Sequence, residues 1–335
     1  MQKVVRRFLL VLLLLAALAA MVGGAAAWWL GQPLQTSAPS LELEIEPGTS
    51  PRGVAQAVVD AGVQTDARWL YYWFRLSGQD RQIRAGNYEL NAGVTPRSLL
   101  QKLVRGEESL RAITFVEGWT FRQMRALMAK EEFLKHDTAL MSEADIMAAL
   151  GKPGMAAEGM FFPDTYTYAK GSSELAVLRR AQHAMERRLH EAWAQRSADT
   201  PLKSAYEALI LASIVEKETG KASDRGQIAG VFSNRLRVGM RLQTDPSVIY
   251  GLGANFDGNL RRRDLQTDTP WNTYTRAGLP PTPIAMPGKA SLMAAVRPDP
   301  TKAYYFVARG DGSSHFSANL EEHNRAVNRY QRGGN

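Results

Sequence analysis

At 335 residues, 45% apolar and 22% charged, the chain is long enough for one large or two modest folded units and too apolar for intrinsic disorder. A formal charge of +8 suits anionic surroundings such as a phospholipid surface or a carboxylate-bearing polymer. The absence of cysteine excludes structural disulfides, thiolate catalysis and a lipid-modified N-terminal cysteine.

Residues 1–7, "MQKVVRR", carry Lys3, Arg6 and Arg7 and read as a cytoplasmic tail. Phe8 to Leu30 then runs without a charge, and as a helix it covers a hydrocarbon core of roughly 30 Å. Ala25-Ala26-Ala27 resembles a signal-peptide cleavage site. Trp28 and Trp29 favour an uncleaved anchor, because indole rings prefer the membrane interface. Everything after this span is therefore expected outside the cytoplasm, on the periplasmic side of an inner membrane. Nucleic acid, the usual partner of a basic chain, is not expected there, and the densest basic run, Arg261-Arg262-Arg263, meets Asp264 at once and reads as a solvated loop.

After the linker "GQPLQTSAPS" (31–40), three segments repeat a strand, a Gly-containing turn, a Ser/Thr cap and an amphipathic helix: 41–62, 86–106 and 111–130. In the second, Thr95 is placed to cap and Pro96 to open a helix whose apolar face carries Leu99, Leu100, Leu103 and Val104. Residues 41–110 are expected to form a small α+β module. Its helix "ARWLYYWFRLSG" (67–78) holds Trp69, Tyr71, Tyr72, Trp73 and Phe74, a set that fits either a sugar-stacking platform or a core helix; the spacing favours the core.

From residue 111 onward a larger mixed α+β domain is expected. A long amphipathic helix (174–196) precedes "ALILASIVEKETG" (208–220), an apolar helix that ends in Glu216 and Glu218. Leu211, Ile214, Val215 and Glu218 recur at i, i+3, i+4 and i+7, whereas Glu216 lies with Leu209, Ala212 and Ser213. A carboxyl held against hydrocarbon is hard to ionise and can donate a proton near neutral pH. Periodicity alone leaves a fraying terminal glutamate, or a partner for Arg225 or Lys221, as the simpler account. A further helix follows, a turn at Gly239, and a segment carrying Gln243, Thr244 and Asp245. Residues 270–288 read as a stiff irregular loop, and a strand and a helix with His323 and Asn324 close the chain. No H-E-x-x-H, phosphate loop or G-x-S-x-G elbow occurs, and the histidines lack metal spacing, so no cofactor or metal is expected.

The strings "EGMFFPDTY" (158–166), "ASIVEKET" (212–219), "VFSNRLRVGMRLQTDPSVIYG" (231–251), "NTYTRAGLPPTPIAMPG" (272–288) and "YYFVARGDGSSHFSANLEEHN" (304–324) resemble the YceG-like endolytic murein transglycosylases of the bacterial inner membrane. The likeness runs over essentially the whole chain. It implies a LysM-like peptidoglycan-binding module over 41–110, a catalytic domain over 111–335, and Glu218 as the catalytic acid. The expected reaction is non-hydrolytic cleavage of the β-1,4 bond between N-acetylmuramic acid and N-acetylglucosamine within nascent strands, leaving 1,6-anhydro ends and limiting strand length.

By the same resemblance Gln243, Thr244, Asp245, Asn272, Tyr274 and Asn324, with Glu158 and Asp164 behind them, are candidates to bind the sugar. Penicillin-binding synthases are implied as partners beside the glycan strands and the membrane. Thr282 and Met286 stand where the family's proline-rich loop commonly has Gly and Asn, and Met160 where a larger aromatic is frequent. Those departures bear on subsite shape and leave the acid in place. Two alternatives are a lysozyme-like muramidase pairing Glu218 with Asp245, and a non-catalytic wall-binding scaffold.

Overall fold

The structure, a computed structural model, describes residues 2–333, with side chains from Leu9 onward. The side chains of Lys3, Arg6 and Arg7, on which the expected orientation rests, lie outside the described residues. The chain divides into two compact units, Met1–Arg111 and Ala112–Asn335. Together they make a mixed α+β protein.

The first unit opens with the helix Gln2–Leu30, whose Leu9–Leu30 stretch is long and apolar enough to cross a membrane. Its small globular part pairs the strand Ser40–Ile45 antiparallel with Gly86–Asn91. Leu41, Leu43 and Ile45 alternate with exposed residues and share one core with Tyr88 and Leu90. Three helices cover that core: Pro51–Asp60, Ala67–Leu76 and Pro96–Arg105. The expected start at Pro96 is present, with Thr95 and Ser98 capping one another's backbone amides reciprocally. The helix Ala67–Leu76 buries Leu70 and Phe74 but leaves Trp69 and Tyr72 exposed, so its aromatics serve two faces.

The second unit is built around the helix Ala205–Glu218, buried on all sides from Ala208 to Val215. It packs against Lys289–Val296, Ala222–Arg237 and Glu174–Ala194. Burial of that apolar cylinder positions its final turn, where Glu216 and Glu218 emerge half-buried. The segment after Gly239 contains a helix the sequence did not reveal, Asp245–Leu252, since eight residues are too few to show a period. An antiparallel hairpin of Tyr305–Ala308 with Ser314–Ser317 leads to the last helix, Leu320–Tyr330.

The loop before Lys289–Val296 is irregular, as its prolines imply, yet it is firmly held. Met286 exchanges backbone hydrogen bonds with Gly118 and Trp119, at 2.8 and 2.7 Å. Ser213 accepts from the Ile284 amide at 3.0 Å, tying the loop directly to the buried helix. Gly159, at φ +80°, lies so close to Pro283 that an added Cβ would stand 2.5 Å from the proline Cβ. Only glycine meets both demands.

Candidate active site

The two acids at the end of Ala205–Glu218 have different partners. Glu216 accepts the Gly288 amide at 2.9 Å and so fastens the first residue before Lys289–Val296. Gly288 approaches so closely that a Cβ there would meet Glu117 Oε1 at 1.8 Å. Burial, with the Glu216 charge nearby, pushes Glu117 above the usual carboxylate range.

Glu218 points instead to the Gln243–Asp245 segment, where the Thr244 hydroxyl donates to its Oε1. Burial pushes Glu218 up to about 7, and the Asp245 charge pushes the same way. The Thr244 hydrogen bond and the Arg235 cation act against them and are outweighed. The acid is thereby poised to carry its proton near neutral pH and to lose it again.

The segment that presents Thr244 is stitched to the loop beyond it. The Thr244 amide donates to Thr273 Oγ1 at 3.0 Å, and the Gln243 amide donates to the Thr273 carbonyl at 3.1 Å. Ser247 donates to the Thr244 carbonyl at 2.8 Å and lies 2.9 Å from Thr273 Oγ1. Gln243 sits at φ +49°, alone among the described non-glycine residues in having positive φ. A left-handed glutamine costs on the order of 1 kcal/mol and persists only where surrounding bonds dictate it. The hydrogen bonds that Thr244 and Gln243 make with Thr273 and Ser247 supply that constraint.

Asp245 is exposed at the start of its helix and accepts from the Tyr274 hydroxyl at 2.5 Å. Burial and that bond raise the phenol, which stays protonated. Asn272 is buried: its Nδ2 faces the carbonyls of Asp264, Leu265 and Thr267, and its Oδ1 accepts the Tyr274 amide at 2.8 Å. Its side chain is thus engaged in holding those carbonyls and the Tyr274 amide.

Glu158 belongs to a second buried group. It accepts the Phe121 amide at 3.1 Å, at the start of the helix Phe121–Met128, and the Tyr250 hydroxyl, and burial pushes it up to about 7. Trp271 packs edge-on to Tyr250 and donates to Thr282 at 2.9 Å. Thr282, where the family pattern has Gly, thus gives the indole an acceptor. Asp164 is exposed and accepts the Thr165 amide; Asn324 is exposed on Leu320–Tyr330.

Arg235 is a participant that sequence reasoning missed. It is buried, donates to the Leu242 carbonyl at 2.6 Å and to the Tyr304 carbonyl at 2.7 Å, and lies over the Tyr305 ring. It therefore anchors the strand of chain leading to Thr244 and places a cation near Glu218. The signal was available: Ile228, Phe232 and Arg235 recur at i, i+4 and i+7, and the first two are core residues.

A carboxyl pushed up to about 7 by burial, gripped by a hydroxyl and set beside a second carboxylate, has the properties an acid/base group needs, here on an α+β scaffold. The chain belongs to the YceG-like family, whose sequence model matches residues 43–329. It is 31% identical over 311 residues to the endolytic murein transglycosylase of Bacillus subtilis strain 168, covering 88% of this chain and 86% of that protein. It is 28% identical over 278 residues to the enzyme of the same name from Streptococcus pneumoniae strain D39, which spans 73% of this chain but 50% of that longer protein. The crystal structure of a yceG-like protein from Listeria monocytogenes is similar over 87% of this chain and 99% of that one, at 29% identity and a TM-score of 0.56.

Proposed function

We propose that this chain is a membrane-anchored endolytic transglycosylase of peptidoglycan, with Glu218 as its catalytic acid and base. The observation that carries the assignment is the Glu218 carboxyl, pushed up to about 7 by burial and held at Oε1 by Thr244. The names of the curated relatives supply the substrate class.

In this reaction Glu218 protonates the glycosidic oxygen as the bond to C1 of N-acetylmuramic acid breaks. The resulting carboxylate then takes the proton from the C6 hydroxyl of the same sugar as that oxygen bonds to C1. No water is consumed, the acid is regenerated, and the product carries a 1,6-anhydro end. A pKa near the working pH serves both halves of the cycle, because one group must give and then accept the same kind of proton. Asp245, held by Tyr274, is the negative group placed to steady an oxocarbenium-like transition state. Gln243 and Tyr274 are the side chains on this rim that suit the sugar's polar groups, with Thr244 and Asn272 supporting them.

The apolar helix Leu9–Leu30 supports a single-pass anchor in the inner membrane, with the globular parts periplasmic and the glycan strand reached from there. The strand–helix–helix–strand order of residues 40–91 supports a LysM-like wall-binding role for the first unit. A penicillin-binding synthase delivering nascent strands is the partner this position suits.

One observation favours a rival: a muramidase needs a second carboxylate roughly 5–9.5 Å away to activate water or attack C1, and Asp245 lies near enough for its charge to raise Glu218. Digesting uncrosslinked glycan strands and analysing chain ends by mass spectrometry separates the two. The transglycosylase gives anhydro ends, a muramidase gives reducing ends, and a wall-binding scaffold gives neither.

A further inference from the structure

The outer face of the helix Ala67–Leu76 is unusually apolar for an exposed surface. Trp69, Tyr72 and Leu76, at i, i+3 and i+7, are 63%, 55% and 85% exposed, while Leu70 and Phe74 on the opposite face are fully buried. A packed core is therefore not what this second stripe serves. The stripe also continues a neighbouring surface: together with Val22, Ala26 and Leu30 of the apolar N-terminal helix it lines one groove of about 500 Å³.

The junction between helix and module is held in place. Trp29 packs against the module core, and four residues past the end of the helix the Leu34 amide donates to the Val94 carbonyl at 2.8 Å. Trp73 donates to the Pro96 carbonyl at 3.1 Å, fixing the aromatic helix on the same module. A span ending at Leu30 brings the membrane interface to this level, where Trp and Tyr rings are most stable.

We propose that this face is a second membrane contact, with Trp69, Tyr72 and Leu76 seated in the interfacial layer of the phospholipid bilayer beside the span and acyl chains filling the shared groove. The inference rests on the anchor reading above and adds to it that the module lies down on the membrane instead of swinging from a tether. A glycan-stacking platform is the competing use of such rings. The groove shared with the span favours lipid, because a sugar bound there would be pressed against an apolar helix.

The chain has no cysteine, so single labels can be placed in the full-length protein. Variants Leu15→Cys in the span, Tyr72→Cys and Leu76→Cys on the face, and Glu46→Cys on an exposed turn of the same module carry a bimane fluorophore. Each is reconstituted in phosphatidylethanolamine–phosphatidylglycerol vesicles with and without brominated acyl chains. For residues seated roughly 5–10 Å into the headgroup boundary, labels at 72 and 76 lose about half or more of their emission to the brominated lipid. The label at 15 is also quenched, and that at 46 is not. Quenching at 15 with 72 and 76 behaving like 46 overturns this inference and leaves the anchor intact; no quenching at 15 removes the anchor and this contact with it. Labels at 72 and 76 that ignore brominated lipid but respond to added glycan strands assign the face to sugar and overturn the proposal.

Discussion

Replacing Glu218 with glutamine keeps the side chain's shape and an oxygen for Thr244 while removing its titration. In the folded chain the carboxyl is raised from 4.5 to about 7, so the native state binds this proton more tightly than the unfolded chain does. The sign follows: the stabilisation is fully present below about 4.5 and is lost as the pH rises through about 7, because the unfolded chain ionises first. A gap of about 2.5 units at 1.36 kcal/mol each sets an upper bound of roughly 3 kcal/mol, and partial solvation of a half-buried group makes about 1–3 kcal/mol the working range.

Glu218→Gln escapes that loss, so it should match the wild type near pH 4.5 and exceed it at pH 8. For a unit of this size each kcal/mol moves the thermal midpoint by about 2–4 °C. Thermal unfolding of both proteins in the same detergent, followed by tryptophan emission at pH 4.5, 6 and 8, reads the difference directly. Glu158, also held up to about 7, titrates over the same range in both proteins and cancels. A variant less stable than wild type at pH 8, or an offset that does not change with pH, refutes the reasoning that burial has raised this acid.

Thr244→Val removes the hydroxyl that grips Glu218 and opposes the rise in its pKa. Losing a hydrogen bond to a charged group costs about 1.5–3 kcal/mol, so glycan cleavage should slow about 10- to 100-fold, and the alkaline limb of its pH–rate profile should move to higher pH. Arg235→Met leaves the Leu242 and Tyr304 carbonyls without their donor, and about 2–4 kcal/mol of stability should disappear in denaturant melts of the chain. Gly159→Ala, forced to φ +80° with its Cβ against Pro283, should lower the thermal midpoint by about 4 °C or more, equivalent to roughly 2 kcal/mol.

Much of the fold was legible because the relevant signals are local. Thr95 and Pro96 announced a helix start, and the alternation of Leu41, Leu43 and Ile45 a half-buried strand. The distinction between Glu216 and Glu218 was legible in part: the helical wheel separated their directions, but only the fold shows that one meets the Gly288 amide and the other Thr244. The roles of polar residues were harder to see. Asn272 carries the same amide whether it binds sugar or three loop carbonyls, and nothing near it in sequence distinguishes these uses. Arg235 was hidden by its type, since an arginine in a basic helix reads as solvated unless its spacing to Ile228 and Phe232 is weighed. The split use of the aromatic helix was hidden because Trp69 and Phe74 look alike by composition and differ only in the direction they face.

The central claim is that one carboxyl, Glu218, performs both proton transfers while Glu216 holds a loop. The most direct test digests uncrosslinked glycan strands with wild type, Glu216→Gln and Glu218→Gln and counts 1,6-anhydro ends by mass spectrometry. Anhydro ends are predicted from wild type and Glu216→Gln, with none above background from Glu218→Gln. Anhydro ends from Glu218→Gln, with Glu216→Gln inactive, would contradict the account.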